Sequence, residues 1–274
     1  MNTRNTRTLE IAVAQTATLA LNSAKLDYLL AQAKSRQCRL VVLGEYACNT
    51  FFKELEQMPR SFVREQGERF YQTLGKLSRQ YQISIIAPLA RSAGDGIYKS
   101  IYRFTPKKIW RFDQQILMDY GHWNEASFFA NSVNMLKSPP IFRENGFRIG
   151  VLSGFELHFD ALWHKLIDRN VDVVIVPTCG TFESFARWQT LAKTRSMTGG
   201  CYLLRANRIG EYLTKPEKWV FYGNSFICNP FGEIENALDD KEGVLVASID
   251  RDEIGEAKKT FGFRRILKKY EAVI

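Results

Sequence analysis

The amino-acid sequence predicts an α/β protein, in which sheets and helices stack in layers around shared apolar cores. Short β-branched runs, Arg39 to Leu43 (RLVVL), Arg148 to Ser153 (RIGVLS) and Val171 to Val176 (VDVVIV), recur along the chain. They alternate with longer segments whose apolar residues repeat at helical spacing, the pattern of stacked α and β layers. The 274 residues are 45% hydrophobic, enough for one large core, so a single domain over residues 1–274 is expected.

The first strand is expected over Leu9 to Gln15, and Ala24, Leu26, Leu29, Leu30 and Ala33 then mark a helix. Arg39 to Leu43 returns to a strand that reads as buried on both faces. Phe62 to Tyr81 forms a second helix with Phe62, Phe70, Leu74 and Leu77 on one stripe, leading into a strand at Ile83 to Ala87. Ile97 to Phe104 and Lys108 to Asp113 alternate in the strand period, which makes a hairpin around Thr105-Pro106. Gln114 to Pro140 has no period and is rich in aromatics (Tyr120, Trp123, Phe128, Phe129), the character of a binding loop. The second half repeats the logic: strand Arg148 to Ser153, helix Ala161 to Arg169, strand Val171 to Val176, helix Ser184 to Met197, strand Cys201 to Ala206. Tyr222 to Asn229 and Val244 to Ile249 read as a last strand pair joined through the turn Pro230-Phe231-Gly232, after which the basic tail from residue 255 leaves the core.

Composition excludes several function classes. Five scattered cysteines (Cys38, Cys48, Cys179, Cys201, Cys228) include no C-x-x-C pair, which argues against a disulfide framework and a zinc site and makes each a buried small apolar residue. His122, His158 and His164 lack metal-ligand spacing, so neither metal nor cofactor is expected. Met1 to Arg7 is polar and basic with no apolar stretch behind it, and no segment is long and apolar enough to span a bilayer, so the expectation is a cytoplasmic protein without a membrane partner. The net charge of +9 comes partly from the pairs Lys107-Lys108, Lys258-Lys259, Arg264-Arg265 and Lys268-Lys269. These lack the stacking aromatics of nucleic-acid modules, so a basic face toward an anionic ligand or partner is expected instead.

Ligands of such architectures bind beyond the carboxyl ends of the strands. Glu45 immediately follows RLVVLG, and a carboxylate beside so apolar a run is partly desolvated, with the raised pKa that a general base requires. A carboxylate satisfied at a turn is the plainer alternative. Gly154 to Glu156 follow RIGVLS and Thr178-Cys179 follow VDVVIVP, so three strand ends converge on one place.

Val41 to Tyr46 (VVLGEY), Arg148 to Phe159 (RIGVLSGFELHF), Val174 to Cys179 (VIVPTC), Arg187-Trp188, Arg195 to Asn207 (RSMTGGCYLLRAN), Tyr222 to Gly232 (YGNSFICNPFG) and Gly243 to Asp250 (GVLVASID) follow one another in an order and spacing that resemble the nitrilase, or carbon-nitrogen hydrolase, superfamily. The resemblance implies a four-layer α-β-β-α sandwich. It also implies hydrolysis of non-peptide carbon-nitrogen bonds by a cysteine nucleophile, a glutamate that moves protons and a lysine that stabilises the oxyanion. Glu45 matches that glutamate, and Glu125, in HWNEASFF, matches the second acidic residue of many members. Gly154 occupies the cysteine position, with Phe155, Glu156, Leu157 and His158 following in register. The segment Phe112 to Leu117 puts Gln114, or its neighbour Gln115, where the lysine belongs.

These departures make a catalytically inactive homologue the leading expectation, one that binds a small amide or carbamoyl-type molecule or plays a regulatory part. Losing a nucleophile from a comparable site costs roughly a millionfold in turnover. Phe155, Cys179, Trp123 and Glu156 are the expected ligand-lining residues; Glu156 has the plainer reading of a brace for the following helix. A divergent amidase using Cys179 as a substitute nucleophile is the alternative, against the plainer reading of a small pocket-lining side chain. The family also implies a homodimer or larger homo-oligomer, with residues 255–274 extending to a partner subunit.

Overall fold

The structure is a computed structural model that describes residues 7–19, 22–213 and 218–271. Its elements in chain order are β1 (Thr8–Gln15), α1 (Ser23–Ser35), β2 (Leu40–Leu43), α2 (Phe52–Leu55), α3 (Arg60–Tyr81), β3 (Ser84–Ala93), β4 (Gly96–Phe104) and β5 (Ile109–Asp113). Then come β6 (Asp119–Tyr120), β7 (Trp123–Asn124), β8 (Ile141–Glu144), β9 (Phe147–Val151), α4 (Asp160–Ile167), β10 (Val173–Pro177), α5 (Phe185–Gly199) and β11 (Tyr202–Ala206). The chain closes with β12 (Ile209–Leu213), β13 (Lys218–Tyr222), β14 (Phe226–Cys228), β15 (Ile234–Ala237), β16 (Gly243–Asp250), α6 (Arg251–Phe261) and α7 (Phe263–Glu271).

Two six-stranded sheets carry the fold, in the orders β16-β1-β2-β3-β4-β5 and β15-β14-β11-β10-β9-β8. Each has a parallel centre, β1-β2-β3 or β9-β10-β11, flanked by antiparallel strands. Strand alternation sorts the apolar residues into three cores. Ile11, Val13, Val42 and Ile86 of the first sheet meet Ile149, Val173, Ile175 and Leu204 of the second. The alternate residues Ala12, Val41, Leu43 and Ile85 face Leu26 and Leu30 of α1 and Phe70 and Leu74 of α3. Val174, Val176 and Leu203 face Leu162 and Leu166 of α4 and Ala192 of α5. The result is the expected α-β-β-α layering.

Three sequence expectations are corrected. Phe62 is 39% exposed, and Val63, one position on, takes its place on the buried stripe of α3. Tyr222 to Asn229 and Val244 to Ile249 are not a strand pair: β16 lies against β1 in the first sheet, while β14 pairs with β11 and β15 in the second. The turn at Pro230-Phe231-Gly232 instead closes the hairpin β14-β15, where the Asn229 amide donates to Glu233 O at 2.9 Å and the Gly232 amide to Asn229 O at 3.0 Å. The tail does not leave the core at residue 255 either, because α6 buries Ile254 and Ala257. It departs at Gly262, a left-handed helix cap with φ of 61°.

Helix α3 lies close on β3. A methyl group added at Gly67 would meet Ala90 O at 2.5 Å, whereas one at Gly75 would have its nearest neighbour, Ile109 Cδ1, at 3.5 Å. Gly67→Ala is therefore expected to lower unfolding stability by about 1–3 kcal/mol through overpacking. Gly75→Ala, filling ordinary space in a helix interior, is expected to raise it by roughly 0.5–1 kcal/mol. Urea denaturation of the two variants checks the close α3-β3 approach; the same sign for both would contradict it.

Candidate functional site

Glu45 ends the segment after β2, where the first sheet meets the second: the Glu45 amide donates to Thr178 O, beyond β10, at 3.1 Å. The backbones are tight here. A side chain at Gly44 would lie 3.0 Å from Asn207 C and 3.1 Å from Ala206 O, at the end of β11. Gly154 follows β9 and opens a short 3-10 turn, Gly154–His158. Its amide donates to Glu45 Oε1 at 3.2 Å. Cys179, next after Thr178, is buried with Tyr46, Phe51, Trp123, Trp219 and Phe221. The three strand ends expected to converge thus do so.

A residue not singled out from the sequence completes the cluster. Lys99, on β4, reaches Glu45 Oε2 at 3.2 Å and Glu125 Oε1 at 2.7 Å, all three side chains being buried. Its position has a simple origin. The ladder sets Ser100 opposite Asp113, and the Gln114 amide donates to Lys99 O at 3.0 Å, so Lys99 is the cross-strand neighbour of Gln114. The ammonium arrives from the adjoining strand rather than from the loop after β5. Gln114 is buried but turns back on its own loop, its Nε2 donating to Ile116 O at 2.7 Å. Asn131 clamps the arrangement, accepting from the Lys99 amide and donating to the carbonyls of Lys99 and Gln114, each at 2.8 Å.

Tyr46 holds Glu125 from the other side, donating its hydroxyl to Glu125 Oε1 at 2.6 Å. It does so from a left-handed backbone with φ of 56°, costly for a bulky residue and maintained by its surroundings. Thr18 Oγ1 and Arg208 Nη1 both donate to Tyr46 O, each at 3.2 Å, and fix that bend.

The electrostatics follow from one cation serving two carboxylates. Burial by itself would lower the Lys99 pKa, but Glu125 and Glu45 outweigh it and hold the ammonium above the ordinary lysine range. For Glu45, burial is the largest influence and raises its pKa well above the carboxylate range, because the Lys99 charge only partly offsets it and Glu125 adds to it. Burial also raises the Cys179 thiol far above its usual value, with Arg208 opposing it weakly, so this sulfur is a thiol at neutral pH. Glu156 is buried and its carboxyl is raised by burial. It accepts from the amides of Gln115 at 2.6 Å, Ile116 at 3.4 Å and Ser153 at 3.1 Å, bracing the loop after β5 against the turn that carries Gly154.

Phe155 lies outside the cluster, its ring meeting Tyr120 at 5.7 Å and Phe159 at 5.2 Å. Trp123 is buried and stacks on Trp219 at 5.7 Å, with Phe51 edge-on at 4.9 Å. Three buried polar atoms at the cluster have no hydrogen-bond partner among the described residues: Gln114 Oε1, Glu125 Oε2 and Trp123 Nε1. Buried polar groups without partners are uncommon, and two acceptors with one donor complement the groups of a primary amide. Position 154 is tightly surrounded, so that a side chain there needs its neighbours to give by a few tenths of an ångström. An added Cβ would lie 3.0 Å from Thr178 Cγ2 and 3.1 Å from Pro177 O. Among the described residues, no group of three His, Cys, Asp or Glu side chains could hold a metal ion, and no helix is long and apolar enough to cross a membrane.

Glu45 binds its proton more tightly folded than unfolded, so stability is expected to fall as pH rises from the ordinary glutamate pKa through the raised one. In Glu45→Gln that fall is expected to be smaller, because the carboxyl that binds the proton is gone while Glu125 still pairs with Lys99. Lys99→Met leaves two buried carboxylates without a cation and is expected to cost about 3–5 kcal/mol at neutral pH, less in acid. Denaturation at several pH values measures all three; a pH profile unchanged in Glu45→Gln would refute the assignment.

Residues 8–259 match the sequence model of a family described as carbon-nitrogen hydrolase. A deaminated glutathione amidase of Synechocystis sp. is 24% identical over 207 residues, 70% of this chain and 72% of the relative. A crystal structure of a carbon-nitrogen hydrolase from Helicobacter pylori superposes with a TM-score of 0.82 at 20% identity, covering 96% of each chain. A cysteine-to-alanine mutant of an amidase from Nesterenkonia sp., in complex with butyramide, superposes with a TM-score of 0.76 at 17% identity, covering 94% of this chain and 97% of that one.

Proposed function

We propose that this protein, which belongs to the carbon-nitrogen hydrolase family, holds a small amide or carbamoyl-type molecule at the Glu45-Lys99-Glu125 cluster and does not cleave it through a nucleophile at position 154. The observation that carries this reading is that the buried carboxylate-ammonium array is complete while position 154 offers Glu45 a backbone N–H and no side chain. Lys99 Nζ is the donor suited to a carbonyl oxygen, and Glu125 Oε2 and Gln114 Oε1 are acceptors suited to an amide N–H. The structurally similar amidase from Nesterenkonia sp. that holds butyramide is a variant in which one cysteine is replaced by alanine.

Thr178 supports the reading further. Its γ-methyl group would lie only 3.0 Å from a Cβ at 154, and its hydroxyl is engaged by Asn207 Oδ1 at 2.9 Å and by Arg205 Nε at 3.1 Å. Introducing a cysteine at position 154 would therefore have to displace Thr178 or Pro177 before its thiol could sit beside Glu45. A second reading, an amidase that uses Cys179, is favoured by the nearness of that thiol to the charges of Arg208, Glu45, Lys99 and Glu125. Its raised pKa weighs against it, since the thiolate is the attacking species.

Ligand-observed NMR with butyramide is expected to give saturable binding to the wild type that weakens in Glu45→Gln, with no ammonia above buffer in either. Gly154→Cys is expected to release no ammonia and to lose about 1–3 kcal/mol from the clash at Thr178. Adding Thr178→Ser, which removes the methyl and keeps the hydroxyl, is expected to return part of that stability. Ammonia release by the wild type that vanishes in Cys179→Ala would replace this reading with the second one.

A further inference from the structure

A cavity of about 1230 Å³ lies under α7, away from the Glu45 cluster. Its lining includes Arg148 at the start of β9 and Val171 just before β10, so it sits at the opposite ends of the strands that lead to Gly154 and Cys179. Eight cationic side chains line it, and Asp168 is the one carboxylate in the lining. Arg143, Arg148 and Arg169 come from the body of the protein, Lys258 from α6, and the two basic pairs at 264–265 and 268–269 from α7.

Among the described residues these charges are almost unanswered. Only Lys258 has a carboxylate in ion-pair range, Asp172 at 3.5 Å. The guanidinium groups settle for carbonyls: Arg148 Nη1 donates to Arg169 O at 3.0 Å, Arg143 Nη1 to Gly146 O at 3.2 Å, and Arg264 Nη2 to Asp168 O.

The setting of α7 sharpens the point. Phe263, Ile266, Leu267 and Tyr270 recur at helical spacing and are 46%, 46%, 53% and 69% exposed; of these only Phe263 lines the cavity, whereas all four basic residues of α7 do. An amphipathic helix normally buries its apolar stripe and leaves its charges to water. Here the charged face is turned toward a body that is itself cationic. Like charges brought together in a partly enclosed space repel, so this docking needs negative charge between the two sides.

We infer that the cavity under α7 is a binding site for a compound carrying several phosphate groups, of the chemical class of a nucleoside polyphosphate. Several phosphates are required because one or two negative charges would leave most of the eight cations unmet. Phosphate fits because five arginines, three of the body and two of α7, offer planar forks that grip two phosphate oxygens at once. A flat apolar portion fits the uncharged part of the lining, where Ile141, Phe142, Met197 and Phe261 gather. The volume is ample for such a molecule.

Isothermal titration of the full chain with ATP and with sodium tripolyphosphate, in magnesium-free buffer at near-physiological salt, tests the site. Saturable binding of both is expected, tighter for ATP because its base meets the apolar lining. The double variant Arg265→Glu/Lys268→Glu, at exposed positions on α7, is expected to bind at least about tenfold more weakly. Lys107→Glu/Lys108→Glu, an exposed basic pair that does not line the cavity, is expected to bind as the wild type does. Absence of saturable binding, equal weakening by both double variants, or equal heats from sodium sulfate at matched ionic strength would overturn the inference.

Discussion

A single buried ammonium, that of Lys99, faces two carboxylates where water hardly reaches, and the rest of the site is arranged around that imbalance. Removing three charges from water is costly, and the attraction among them compensates only with close geometry and additional hydrogen bonds. Those bonds are present. Tyr46 donates its hydroxyl to Glu125, and the Gly154 amide donates to Glu45. Burial raises the Glu45 pKa, and one cation shared between two anions offsets that only in part, so Glu45 keeps its proton to a higher pH than an exposed glutamate would. A carboxyl poised in this way can donate to or accept from a bound polar group with little rearrangement, a property useful for holding a ligand whether or not a nucleophile stands nearby.

The scaffold makes that cluster possible by bringing strand ends from two sheets into backbone contact. The inter-sheet core of alternate residues fixes the spacing between the layers, and Gly44 and the Glu45 amide then lie directly against the segments after β10 and β11. The same closeness accounts for position 154. With Pro177 and Thr178 close against it, a residue with a Cβ would be accommodated only by a small shift of these neighbours. Tyr46 shows the local strain of the arrangement, since its left-handed conformation is held by donors from Thr18 and Arg208.

Charge is distributed unevenly along the strands. The buried carboxylates Glu45, Glu125 and Glu156 gather beyond the carboxyl ends of the central strands, and eight cationic side chains, of which only Lys258 has an ion-paired carboxylate among the described residues, gather around their starts beneath α7. The formal charge of +9 is therefore partly a local feature of one cavity rather than a uniform property of the surface.

Hydrophobic alternation, strand ends and the ordered blocks of the sequence were sufficient for the α/β layering, for the meeting of residues 45, 154 and 179, and for the family. They were insufficient where pairing partners had to be chosen: β16 has the same local character beside β1 as it would have beside β14, and only the closed sheet decides between them. Lys99 carried a legible signal, a lysine in phase with the inward-facing Ile97 and Ile101, but its meaning depended on which strand lay next to it. The sequence by itself determined that no sulfur stands at position 154, because that is a matter of residue identity. Tertiary structure alone decided that an ammonium from β4 meets Glu45 and that Thr178 stands close against Gly154, since both depend on distances between segments far apart in the chain.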